Sequence, residues 1–195
     1  MENRLYRVEI HEGGEAGKAT FKWSRRNASA VARVRQTGAA QLLFGEAADR
    51  FAAEDWIEIT DDARELNGLP GEMRRIKRVE GSTIALTAPL TGSLEAASAR
   101  IRRWDQKDVG DAGVIPVPES GRPVALEDGI EVSFTSAGGA FRSGDDWITP
   151  ARTADRSIIP LHEAPPRGIH HHYVELALFT PPDKIIDRRK ETAVA

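Results

Sequence analysis

The sequence contains no cysteine, which removes disulfide staples, thiol nucleophiles and cysteine-ligated zinc from consideration. It also lacks any apolar run near the roughly 20 residues that a membrane-spanning helix requires. The opening stretch Leu5-Tyr6-Arg7-Val8-Glu9-Ile10 alternates charged and apolar side chains, so it does not read as the apolar centre of a Sec signal peptide. The expectation is synthesis in the cytoplasm without a signal peptide, with any export as part of a released particle. An excess of one charge is missing too. Twenty-seven basic residues face 30 acidic ones, a net −3, which creates no global field for nucleic acid or an anionic membrane. Walker A, strand-linked G-x-G-x-x-G and G-x-S-x-G motifs are all absent, which disfavours nucleotide-dependent and serine-hydrolase chemistry.

What the sequence does contain is short-period alternation. In Leu5–Ile10, Tyr6, Val8 and Ile10 share one side; in Ala19–Trp23, Phe21 and Trp23 oppose Thr20 and Lys22. Side chains alternate across a strand with period 2, so each segment reads as half buried, with its charged side in water. The pattern continues through Ala30–Val34, Gln41–Phe44, Trp56–Thr60, Met73–Val79, Thr83–Leu86 and Ala99–Trp104. Asp61-Asp62, Asn67–Gly71 and Gly81-Ser82 supply turn chemistry between them. Helical candidates are short: Gly45–Ala53 and Leu94–Ala99. The expected fold is all-β with little helix: a small barrel or sandwich over residues 1–104, and a second, smaller β module packed on it over 126–180. A Pro/Gly-rich junction spans 105–125, and 181–195 reads as a flexible tail or linker without an apolar side. The last strand is placed at His171–Phe179. At 195 residues such a chain can remove roughly 70% of its unfolded surface from water, so it needs no metal to fold.

Few constellations suggest chemistry. His170 and His172 share a side of an extended segment, as an H-x-H metal pair would, and His162 is the nearest further histidine for a third ligand. Val174, Leu176 and Leu178 continue the same side, so the histidines are read as the rim of an apolar stripe, with no metal or other cofactor expected. The carboxylate pairs Asp61-Asp62, Glu127-Asp128 and Asp145-Asp146 stand beside turns, where an Asp commonly bonds the backbone. Adjacent strand residues also point to opposite sides, so none is by itself the facing pair a glycosidase uses. Asp105, Asp108 and Asp111 do not follow the EF-hand spacing and read as a solvated loop. The basic runs Arg74–Arg78 and Arg100–Arg103 read as solvated strand faces. Trp23, Trp56, Trp104 and Trp147 read as core anchors more readily than as a sugar platform.

Eight segments in order resemble a family of bacterial proteins known only as a domain of unknown function. They are residues 5–11, 19–25, 55–62, 102–106, 126–132, 141–147, 150–154 and 168–173, beginning with Leu-Tyr-Arg-Val-Glu-Ile-His and ending with Gly-Ile-His-His-His-Tyr. The resemblance implies company with phage-tail-like contractile injection proteins, and it carries over no catalytic residue. Two positions depart from the family's pattern. Arg26 stands in place of an acidic residue, and Glu54 in place of a glycine before Asp55, which argues against a positive-φ turn there. The resulting expectation is a non-catalytic structural or protein-binding module of a phage-tail-like particle. Its partners would be other protein subunits in an oligomer, with no nucleic acid and no membrane span. A carbohydrate-binding module, docking on a cell-surface glycan, and a metal-dependent hydrolase using the C-terminal histidines are the alternatives.

Overall fold

A computed structural model describes residues 3–45, 48–107, 109–136, 138–152, 154–168 and 174–189. It is a β protein: 44% strand and 4% helix, against a usual helical share near one third. All eight strands read from the first half are present. They are β1 (Arg4–Glu12), β2 (Thr20–Ser24), β3 (Val31–Gly38), β4 (Gln41–Phe44), β5 (Trp56–Thr60), β6 (Glu72–Glu80), β7 (Thr83–Leu86) and β8 (Arg100–Trp104).

Six of them close on themselves in the order β3-β4-β7-β6-β5-β8, every neighbour antiparallel. Closure leaves no unpaired edge to aggregate. The interior is filled by Leu42, Phe44, Ile57, Ile59, Ile76, Ile84 and Ile101, all at most 2% exposed. Glu72, opposite Ile59 across β5 and β6, takes Arg64 at 2.9 Å and Arg74 at 2.7 Å.

β1 and β2 do not belong to the barrel. They form the middle of a five-stranded sheet, β13-β12-β1-β2-β9. Its other members come from far along the chain: β9 (Ile115–Pro116), β12 (Asp146–Arg152) and β13 (Ser157–Ile158). Val8 sits opposite both Trp23 and Trp147. Residues 1–104 contribute strands to both the barrel and this sheet, and Val117, within the junction 105–125, is fully buried. A hairpin of β10 (Val124–Glu127) and β11 (Ile130–Val132) covers the far side of the sheet, over Tyr6, Ile10, Phe21 and Phe134.

Three expectations are corrected. The one α-helix among the described residues, α1 (Asp62–Leu66), lies where a turn was read, because the Asp61 carboxylate accepts from Arg64 N at 2.9 Å and so caps it. Of the two helical candidates, one yields a single 3-10 turn at Ala48–Arg50, and the other has no helix. Finally, the segment 181–195, read as a flexible tail or linker, contributes a strand. β14 (Ala177–Thr180) pairs with β15 (Lys184–Asp187), with Leu178 opposite Ile186 and Phe179 opposite Ile185.

Glu54 also adopts φ +74°, so the left-handed turn forms despite the missing glycine. Its carboxylate pairs with Arg75, but both side chains are about half exposed or more, at 63% and 46%, and such pairs contribute little. Glu54→Gly is therefore expected to leave stability unchanged or raise it by up to about 1 kcal/mol. Thermal denaturation checks this, and a clear loss would show that the Arg75 pair outweighs the backbone strain.

Candidate functional site

The sheet lies on the barrel along a seam, and the seam is charged. In β1, Arg7, Glu9 and His11 share the side opposite Tyr6, Val8 and Ile10; in β2, Lys22 lies directly across from Glu9. That side was expected to be solvated. Instead the barrel covers it, leaving Lys22 only 2% exposed, His11 6% and Glu9 9%. From the barrel, β5 contributes Glu58 and β8 contributes Trp104, which face each other's strands across the pairs Trp56–Trp104 and Glu58–Arg102.

Lys22 is the hub. Its ammonium hydrogen-bonds Glu58 Oε1, lies 3.2 Å from Glu9 Oε1, and sits 4.7 Å from the centre of the Trp104 ring. The Trp104 indole N–H donates to Glu58 Oε2 at 3.1 Å, and Gly71 N–H donates to Glu58 Oε1 at 3.3 Å. His11 Nδ1 is 3.4 Å from Lys22 Nζ and 3.6 Å from Glu58 Oε1. Glu9 continues the chain of charges outward to Arg7 at 2.6 Å, and Arg7 reaches Asp146 at 3.5 Å.

Each charge has a physical reason for its state. Burial alone would raise the Glu58 carboxyl, but the Lys22 ammonium and the contacts with His11 hold it well below the usual carboxylate range. Asp146 moves the other way, raised mainly by burial, with Arg7 opposing that shift and Glu9 adding to it. Its Oδ2 is buried without a partner. The row alternates two cations (Arg7, Lys22) with three carboxylates (Glu9, Glu58, Asp146), and Arg167 acts on Asp146 from outside the row.

Chemically, this arrangement is a lock. Two carboxylates and an aromatic ring close on the Lys22 side chain and tie the sheet to the barrel. Close backbone approach completes the seam. A Cβ on Gly71 would stand 2.5 Å from Glu58 Cγ, and one on Gly113, which has φ +70°, 2.4 Å from the Trp56 ring. Gln106 ties the junction down, donating to Gly113 O at 2.7 Å and accepting from Trp23 N–H at 3.3 Å.

Two clefts open at the ends of the seam. One, of about 420 Å³, is lined by His11, Thr20, Arg64, Glu72, Arg74 and Asp111. The other, of about 410 Å³, is lined by Arg25, Arg26, Asp55, Trp56, Arg103 and Lys107. Both are large enough for a small ligand, but many of their charges are already matched. Arg64 and Arg74 are held by Glu72, Arg25 by Glu127 at 2.8 Å, and Arg103 stands 3.8 Å from Asp55.

The residues singled out in the sequence are scattered. His170 and His172 lie outside the described residues, and His162 is exposed in a bend. Among the described residues no three His, Cys, Asp or Glu side chains gather as metal ligands. Asp61 bonds backbone at both oxygens, to Arg64 N and Glu95 N, which lowers its pKa. Glu127 accepts from the Tyr6 hydroxyl at 2.7 Å. Asp105 accepts from Ser24 Oγ and Arg25 N, Asp111 lies on the rim of a cleft, and Asp108 is outside the described residues. Trp23, Trp56 and Trp104 are buried, and Trp147 is half-buried with its N–H donating to Ala164 O at 2.9 Å. Sequence reasoning missed the seam itself, although Glu58 was a visible signal: a lone charge inside Trp-Ile-Glu-Ile-Thr has no solvated neighbours to share a surface with.

No match is found among curated proteins or among solved structures. A family model does match, over residues 1–171, which takes in the barrel, the sheet and the seam but stops short of the β14–β15 hairpin. The chain belongs to the family of unknown function DUF6519.

Proposed function

We propose that the chain is a non-catalytic structural and protein-binding module of a larger particle. The phage-tail-like contractile injection particle suggested by the sequence resemblance is the specific setting. The observation that carries this reading is the β14–β15 hairpin. Its strands are exposed throughout, with Leu178 and Phe179 pointing to opposite sides at 48% and 59% exposure, and Ile185 at 70%. A two-stranded hairpin is marginal in water by itself, and one with apolar side chains on both sides gains its stability from whatever covers it. The seam supports the same reading, since its charges are spent on joining the sheet to the barrel.

The burial of three tryptophans weighs against the glycan-binding alternative, which would use such rings as an open platform. Density-gradient fractionation of cells making the chain at its native level, followed by immunodetection and electron microscopy, tests the proposal. The expected result is that the chain travels in high-mass fractions containing tail-like particles. A chain found wholly at free-subunit mass contradicts it.

A further inference from the structure

We infer that the β14–β15 hairpin is a self-association element whose partner is a second copy of this chain. The inference rests on the assembly reading above and goes further by naming the occupant. One side of the hairpin carries Leu178 and its cross-strand partner Ile186, with Leu176 in line; the other carries Phe179 and its partner Ile185. Their exposures run from 36% for Ile186 to 70% for Ile185, with Leu176 at 64% and nearby Val174 at 74%. A partner must therefore cover both sides, which a single flat surface cannot do.

Three features match this demand to another copy. The first is area. At on the order of 100 Å² or more for each large apolar side chain, these six residues offer on the order of 400–600 Å². That is about half to three quarters of the roughly 800 Å² each partner brings to a standard interface. The second is charge. Residues 174–189 hold Glu175, Asp183 and Asp187 against Lys184, Arg188 and Arg189, three of each sign, so the segment calls for no oppositely charged partner and matches its own copy. The third is a receptor for the second side. Beside the two-residue edge strand β13, Ile159 and Leu161 are 54% and 46% exposed. A twofold pair of chains uses the same surfaces twice, so the hairpin of one and the Ile159–Leu161 edge of the other are covered reciprocally.

Sedimentation velocity of the purified full chain, across the micromolar range, tests the inference. It is run beside two double variants, Leu178→Lys with Ile186→Lys, and Phe179→Lys with Ile185→Lys. The wild type is expected at a multiple of its 21.4 kDa mass. Association lost in one or both variants, with an unchanged β-type far-UV spectrum and melting temperature, supports the proposal. A wild type at single-chain mass throughout, or association that both variants retain, overturns it. The broader reading fails separately: a purified monomer that still travels with high-mass particles in cells would sink the second-copy inference and leave the assembly role standing.

Discussion

Replacing Lys22 with methionine is expected to cost about 3–5 kcal/mol of folding stability at neutral pH, because it strands the buried Glu58 carboxylate, while Glu9 keeps Arg7. Methionine keeps most of the apolar stem, so the loss is mainly the charge that Glu9 and Glu58 face. The pH dependence makes the assignment specific. In the wild type the Glu58 pKa is depressed in the folded state, so its contribution is complete above the unfolded value near ~4.3 and fades as pH falls towards the folded value. In the variant the Glu58 carboxyl stays buried without the ammonium, and burial, no longer opposed by Lys22, pushes its folded pKa up. Stability tied to it is then present below pH ~4.3 and lost as pH rises through the folded value. The two stability curves therefore converge in acid. Asp146, with its raised pKa, tilts both curves the same way and largely cancels in the difference. Urea denaturation at neutral and mildly acidic pH measures it. A gap below about 1 kcal/mol at neutral pH, or one of equal size in acid, would mean that Lys22 does not carry the seam.

Trp104→Ala is the second large effect, at about 3–5 kcal/mol. The ring is 1% exposed, packs with Trp56 and Met73 between the two bodies, and shields the Lys22 ammonium. Truncation leaves a cavity, removes the donor to Glu58 Oε2 and opens a path for water. Trp104→Phe separates these contributions. It keeps a ring face for the ammonium and loses the indole N–H, so about 1–2 kcal/mol is expected from the unpaired carboxylate oxygen. Denaturant unfolding followed by far-UV circular dichroism checks both variants, and equal losses from the two would assign the whole effect to the hydrogen bond.

These effects sit where the sequence was least transparent. Period-2 alternation located β1 to β8, because each segment declares its apolar side locally. It does not declare what covers the other side. Lys22 lies opposite Phe21 and Trp23 in the alternation, and only the arrival of β5 and β8 turns that side from solvent-facing to buried. Closure of the barrel depends on β3 meeting β8, with Val31 opposite Arg102, and no local pattern announces a contact across that much chain. The same holds for β12 joining β1. β15 escaped notice for a different reason. Ile185 and Ile186 are adjacent, so they point to opposite sides and give no one-sided stripe. Asp61 looked like a turn residue because an N-cap and an Asp-initiated turn use the same carboxylate-to-amide bond.

Hydrogen exchange of the purified full chain at two protein concentrations tests the account most directly, since that account is a body welded at a charged seam that carries a docking hairpin. Amides of β1, β2, β5 and β8 are predicted to share one opening free energy, equal to that of global unfolding, because sheet and barrel open together. Amides of β14 and β15 are predicted to gain protection as concentration rises. A sheet that exchanges well ahead of the barrel, together with a hairpin that exchanges equally fast at both concentrations, would contradict it.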